Sequence, residues 1–147
     1  MRISLFSDYA LRVLMLAAAR APVLVTIQEV AESFGISRHH LTKVIHDLAR
    51  AGFLETQRGR SGGFTLARPA NRIAIGAVIR HTEAGSPLVE CFDPATNRCV
   101  VTPACRLKRQ LAEALSAFYA VLDKYTVADL YTSKGDVLRH LGLTASA

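Results

Sequence analysis

Three cysteines stand in one fifteen-residue window, Cys91-Phe-Asp-Pro-Ala-Thr-Asn-Arg-Cys99-Val-Val-Thr-Pro-Ala-Cys105, and the rest of the 147-residue chain has none. An odd thiol count without a secretory leader argues against a disulfide framework. Clustered thiolates in a reducing compartment more often bind metal or do redox chemistry. The intervals of seven and five residues lack the short two-cysteine knuckle of zinc fingers and ribbons, which weakens structural zinc without excluding it. Long intervals in a loop punctuated by Pro87, Pro94 and Pro103 suit a larger object such as an iron–sulfur cluster. Such a cluster normally takes one more protein ligand than these thiols supply, so the last ligand is another residue or an exogenous group. Unligated, half-buried thiols are the plainer account of any one cysteine, and a weaker account of three in one loop.

The elements that must carry this loop are mainly helical. Residues 6–19 read as an apolar helix stopped by Pro22. Thr26 followed by Glu29 matches a capping box and opens a short helix that Gly35 ends. Ser37 caps a longer helix whose apolar stripe is Leu41, Val44, Ile45 and Leu48, closed by Gly52. Two helices joined by a short turn containing Gly form a helix-turn-helix. Arg38, His39, His40 and Lys43 lie off the stripe at the start of the second helix, where side chains reach base edges in the major groove. Two short strands then flank a Gly-rich basic tip carrying Arg58, Arg60 and Ser61, the pattern of a β-hairpin wing suited to phosphates or a narrow minor groove.

Charge follows the same segment. The chain carries a net +6, and residues 38–72 hold seven basic side chains (Arg38, Lys43, Arg50, Arg58, Arg60, Arg68, Arg72) against Asp47 and Glu55. A charge run is usually a solvated face. Coincidence with a helix-turn-helix and a wing favours a DNA-binding surface.

Beyond Pro69, Ile73, Ile75, Val78 and Ile79 support a connecting helix ending near Gly85, followed by the cysteine loop. Residues 104–125 read as a helix about 33 Å long, with Leu111, Leu115, Phe118, Leu122 and Tyr125 forming a heptad seam. A two-fold dimer on that seam would present paired recognition helices to palindromic double-stranded operator DNA. The fold class expected is mainly α with a small β-hairpin wing, a winged helix-turn-helix plus a long dimerisation helix. Residues 1–130 form one regulatory domain: 1–75 the winged helix, 76–104 the linker helix and cluster-binding loop, 105–126 the dimerisation helix. Thr126 to Asp129 opens a last short helix, and 131–147 is a C-terminal tail, with residues 145–147 loose.

Two decoys are set aside. Gly59-Arg-Ser61-Gly-Gly63 satisfies the pattern of a hydrolase nucleophile elbow, but that motif needs a helix after it and here a strand follows, so no catalytic role is expected. The apolar N-terminus imitates a leader, yet Asp8 and Arg12 interrupt it and its longest clean run, residues 13–19, is far short of the roughly 20 residues of a membrane span. A cytoplasmic protein without a membrane segment is expected.

The chain resembles the winged-helix iron–sulfur repressors of the NsrR and IscR type over residues 5–130. The resemblance rests on Phe6-Ser-Asp8-Tyr-Ala-Leu-Arg12, Ile36-Ser-Arg-His-His-Leu41, Ala51-Gly-Phe-Leu54 with Arg58-Gly-Arg-Ser-Gly-Gly63, and Cys99-Val-Val-Thr-Pro-Ala-Cys105-Arg-Leu-Lys108. It is nearer to the nitric-oxide-sensing branch, because Lys108 stands where the cluster-biogenesis branch has a histidine ligand. The resemblance implies a cytoplasmic homodimeric repressor with one cluster per subunit, most simply 4Fe–4S, held by Cys91, Cys99, Cys105 and Asp8. It further implies that Asp8 reaches across from the other subunit and that nitric oxide releases the operator. Two alternatives stand beside it: an iron- or redox-responsive repressor with a 2Fe–2S cluster, and a thiol-redox or electron-carrier protein.

Overall fold

A computed structural model describes residues 2–143. Helix α1 spans Leu5–Arg20, and the Ser4 hydroxyl caps it by accepting from the Ser7 amide at 3.1 Å. Ala10, Val13, Leu14, Leu16 and Ala17 are fully sealed from solvent, so α1 is buried on several sides and serves as the spine of the molecule. Helix α2 (Ile27–Phe34) starts at Thr26, whose hydroxyl accepts from the Glu29 amide at 3.1 Å. The reciprocal half of the expected capping box is replaced by an ion pair, Glu29 meeting Arg20 of α1 at 3.0 Å. Gly35, at φ +64°, turns the chain in a conformation that L side chains resist.

Helix α3 (Arg38–Arg50) packs Leu41, Val44, Ile45 and Leu48 into the core beneath α1 and α2. Strands β1 (Leu54–Gln57) and β2 (Gly63–Leu66) pair antiparallel, Leu54 opposite Leu66 and Gln57 opposite Gly63. The segment preceding α2 joins them through a single bridge: Val25 and Phe64 exchange backbone hydrogen bonds of 2.9 and 2.8 Å. This contact requires Gly63, since a Cβ there would sit 2.6 Å from the Val25 carbonyl oxygen. Phe64, 1 % exposed, plugs the wing into the core. Burying a side chain of this size stabilises by roughly 1.5–3 kcal/mol.

Helix α4 (Ile75–Thr82) carries the chain away from the wing, and Ile75, Val78 and Ile79 hold it to the core. Helix α5 runs Arg106–Leu122, 17 residues or about 25 Å. It is shorter than the sequence suggests because Thr102–Ala104, which includes Pro103, winds as a 3-10 turn before it and Asp123 ends it. Residues Val127–Leu130 form a 3-10 turn rather than an α-helix, held by a reciprocal capping box between Thr126 and Asp129. The expectation of a tail from residue 131 is corrected: α6 (Lys134–His140), capped by Ser133, packs on α1 and buries Leu138 at 5 % exposure. Two adjacent apolar side chains, Val137 and Leu138, in a short polar helix leave little periodic signal to read. The loose end expected at residues 145–147 lies outside the described residues. No helix among the described residues is long and apolar enough to cross a membrane.

Candidate functional site

The apolar stripe of α3 fixes which side chains face outward. Arg38, His39, His40, Thr42, Lys43 and His46 are all exposed on the opposite face. Ser37 caps the helix through the His40 amide at 3.4 Å, so the first turn is held where these residues begin. Its amides and their partial positive charge point outward together with Arg38 and Lys43, which suits phosphate. The wing tip presents Arg58, Arg60 and Ser61, all exposed, on a turn closed by the Gly62 amide on the Gly59 carbonyl at 3.0 Å. Arg68 differs from these: its guanidinium lies 5.3 Å from the Phe53 ring centroid, packed on the root of the wing.

The thiol loop is ordered by its polar residues. Asp93 accepts from the Ala95 amide and the Thr96 hydroxyl at 2.9 Å each, forming a tight turn after Cys91. Asn97 accepts from the Cys99 amide at 3.1 Å and donates to Thr102 at 3.1 Å, while the Thr102 hydroxyl donates back to the Cys99 carbonyl at 2.8 Å. Cys105 is the N-cap residue of α5 and its side chain caps none of the helix amides. All three thiols are free and half-buried. Beside them in the chain stand exposed apolar side chains, Val100 at 91 % exposed, Leu107 at 58 % and Val101 at 57 %, interspersed with exposed Arg98 and Arg106.

Asp8 sits in the first turn of α1, and its carboxylate forms a two-point pair with Arg12, at 2.8 Å through Nη2 and 3.2 Å through Nε. Within the chain the four residues expected to hold metal are therefore not gathered. Among the described residues no three His, Cys, Asp or Glu side chains converge on one metal position. The donor types fit an iron–sulfur group, with three soft thiolates and one hard carboxylate, but the set is incomplete in an isolated chain.

Sequence reasoning missed the neighbours that tie Asp8 to the reading head. The Tyr9 ring lies 6.3 Å from that of His40 on α3, and Arg12 lies 5.8 Å from the Phe34 ring on α2. The Asp8–Arg12 spacing of four residues was a usable helical signal. Tyr9 and His40 are too far apart in sequence to carry one.

A helix-turn-helix with a β-hairpin wing, basic on its outward face and followed by a long exposed helix, defines a winged-helix transcriptional regulator. The chain belongs to the Rrf2 family of iron-dependent transcriptional regulators, whose model matches residues 3–133. It is 47 % identical to the HTH-type transcriptional regulator NsrR of Bacillus subtilis over 96 % of this chain and 97 % of that protein. It is 46 % identical to the regulator of the same name from Geobacillus kaustophilus over 93 % of this chain and 94 % of that one. The solved structure of the IscR of T. potens superposes with a TM-score of 0.67 at 27 % identity, covering 88 % of this chain and 85 % of that one. The chain is a DNA-acting regulator of transcription rather than an enzyme, which sets aside the electron-carrier alternative.

Proposed function

We propose that the chain is a homodimeric repressor that responds to nitric oxide through an iron–sulfur cluster of the 4Fe–4S type, one per subunit. Cys91, Cys99 and Cys105 hold the cluster, and Asp8 completes the ligand set from a second copy. The observation that carries this reading is the trio of free thiols in one polar-braced loop, placed at the start of a helix that buries no residue in its own subunit. The second copy is favoured by the apolar surface on and beside that helix, where Leu107, Val121 and Tyr125 are each half exposed or more. When bound, the cluster supplies a reaction centre for nitric oxide.

The protein's own part is to make Asp8 exchangeable. A carboxylate is a harder ligand than thiolate, and Arg12 offers it a competing partner four residues away, the pair seen at 2.8 Å. Asp8 bound elsewhere frees Arg12; Asp8 returned to Arg12 closes the pair on the face of α1 that meets Phe34 and His40. Ligation thus bears on the placement of the helix-turn-helix, and Arg38, His39, His40 and Lys43 read bases while Arg58, Arg60 and Ser61 hold backbone phosphates. The operator is then palindromic double-stranded DNA, matched to the two-fold axis of the dimer.

Anaerobic preparation, a count of iron and acid-labile sulfide, and an operator-binding titration with nitric oxide test this reading. Release of the operator in step with loss of the cluster spectrum is the expected result. Unchanged affinity after the cluster has reacted would remove nitric oxide as the signal, and a native spectrum of 2Fe–2S type would favour an iron- or redox-responsive repressor.

A further inference from the structure

The last turn of α4 fastens three different elements with successive side chains. Arg80 reaches α5's end, donating from Nη1 to Asp123 Oδ1 at 2.8 Å and from Nη2 to the other carboxylate oxygen, with its guanidinium 4.7 Å from the Tyr119 ring centroid. His81 reaches the recognition helix: its Nε2 lies 2.7 Å from Asp47 Oδ2 of α3. Thr82 and Glu83 reach the start of α1. The Thr82 and Ser7 hydroxyls are 2.6 Å apart, and Glu83 accepts from the Ser4 amide and hydroxyl at 2.8 Å each and from the Ser7 hydroxyl. Ser7 is sealed from solvent. Successive helical residues point about 100° apart, so one turn can address neighbours on several sides. The chain then enters the cysteine loop through Gly85 at φ +89°.

Each fastened element bears on the proposed site. Asp8 lies one residue beyond Ser7 on α1, and Cys105 directly precedes the helix whose far end Arg80 grips through Asp123. Asp47 lies one turn beyond Lys43 on α3. An ionised carboxylate only accepts, so the His81 imidazole donates to it. The His81 ring also meets the Phe53 ring edge-on at 5.8 Å, and Phe53 directly precedes β1 of the wing. His81 therefore touches both DNA-facing parts of the molecule from the turn that also grips α1 and α5.

We infer that His81 is a positioning residue for DNA reading, transmitting the state of the cysteine loop to α3 through its hydrogen bond to Asp47. The inference rests on the proposed cluster-dependent regulation and names the contact through which that regulation reaches the operator. His81 touches neither base nor cluster ligand; it sets the pose of α3 against α4.

The test compares operator affinity of cluster-loaded and metal-free protein, at one salt concentration, for wild type, His81→Ala, Asp47→Ala and the double variant. The ratio of the two affinities should shrink by roughly three- to tenfold in either single variant. It should shrink no further in the double variant, because both substitutions cut the same link. The cluster absorption spectrum should not change. In metal-free protein, amide hydrogen exchange along α3 should quicken in His81→Ala while α1 exchanges as before. A merely structural role would lower both affinities together and leave their ratio intact. Should His81→Ala fail to fold, His81→Gln and Asp47→Asn, closer in size, carry the same comparison. A wild-type ratio that persists in the variants overturns the inference and leaves the proposed function standing. A wild-type ratio of one overturns both.

Discussion

In the winged helix, Leu14, Leu41 and Phe64 are sealed from water, and every element from α1 to α4 contributes to one core. Between residues 84 and 122 not a single side chain is buried, although the segment includes a 17-residue helix and a hydrogen-bonded loop. The first region carries enough apolar burial to define its own conformation. The second is ordered locally by Asp93, Asn97 and Thr102, touches the core through the half-buried Phe118, Tyr119 and Leu122 at the end of α5, and presents Val100, Val101 and Leu107 outward. A part that does not complete itself draws its final arrangement from what it binds, which is a physical basis for responsiveness. On the proposed function, the DNA-facing head is the constant part and the sulfur-bearing arm the conditional one.

The largest expected contrast is in stability. Phe64→Ala should cost about 3–5 kcal/mol in urea unfolding of the metal-free protein. Cys99→Ser should stay within about 0.5 kcal/mol of wild type in the same assay. Comparable losses in the two variants would abolish the distinction between head and arm. Next in size, Arg38→Ala or Lys43→Ala should reduce operator discrimination by about 1–3 kcal/mol if a two-point base contact is lost, measured against a scrambled duplex.

Glu83 offers a sharper probe at the junction. Burial alone would raise its carboxyl, but hydrogen bonds from Ser7 and from the Ser4 amide and hydroxyl outweigh burial and hold it below its ordinary value. A lowered carboxyl stabilises the fold above the ordinary carboxylate range, and the contribution disappears as pH falls through the lowered value. Glu83→Gln should therefore cost about 1.5 kcal/mol at neutral pH and converge with wild type in acid, as thermal melts across pH would show. A pH-independent gap would mean the carboxylate charge is not what holds α1 to α4. The smallest effect is expected at the wing: Arg58→Ala should weaken binding evenly across sequences and flatten the dependence of log affinity on log salt by about one.

Much of the head was legible because its signals are local. Ser37, Thr26 and Gly35 mark helix ends by chemistry that acts within a few residues, and the α3 stripe follows from helical period alone. The wing was legible for the same reason. Contacts made across the chain were not: Ser4 and Glu83 are 79 residues apart, and His81 and Asp47 are 34 apart. No periodicity announces such pairs. Helix α6 was hidden by its single buried leucine, and α5 was read too long because its seam continues to Tyr125 after the helix has ended at Leu122. The thiols were visible as a set in sequence, whereas Asp8 stands apart from them among the described residues, paired with Arg12, and its assembly with them belongs to the proposed dimer.

Dependence of DNA binding on the thiols is read from operator affinity of the variant in which Cys91, Cys99 and Cys105 are all serine, with its unfolding curve as the control. The metal-free variant should unfold like wild type and bind the operator about a hundredfold more weakly than cluster-loaded wild type. Full operator affinity without the thiols would show that no cluster held by them governs DNA binding.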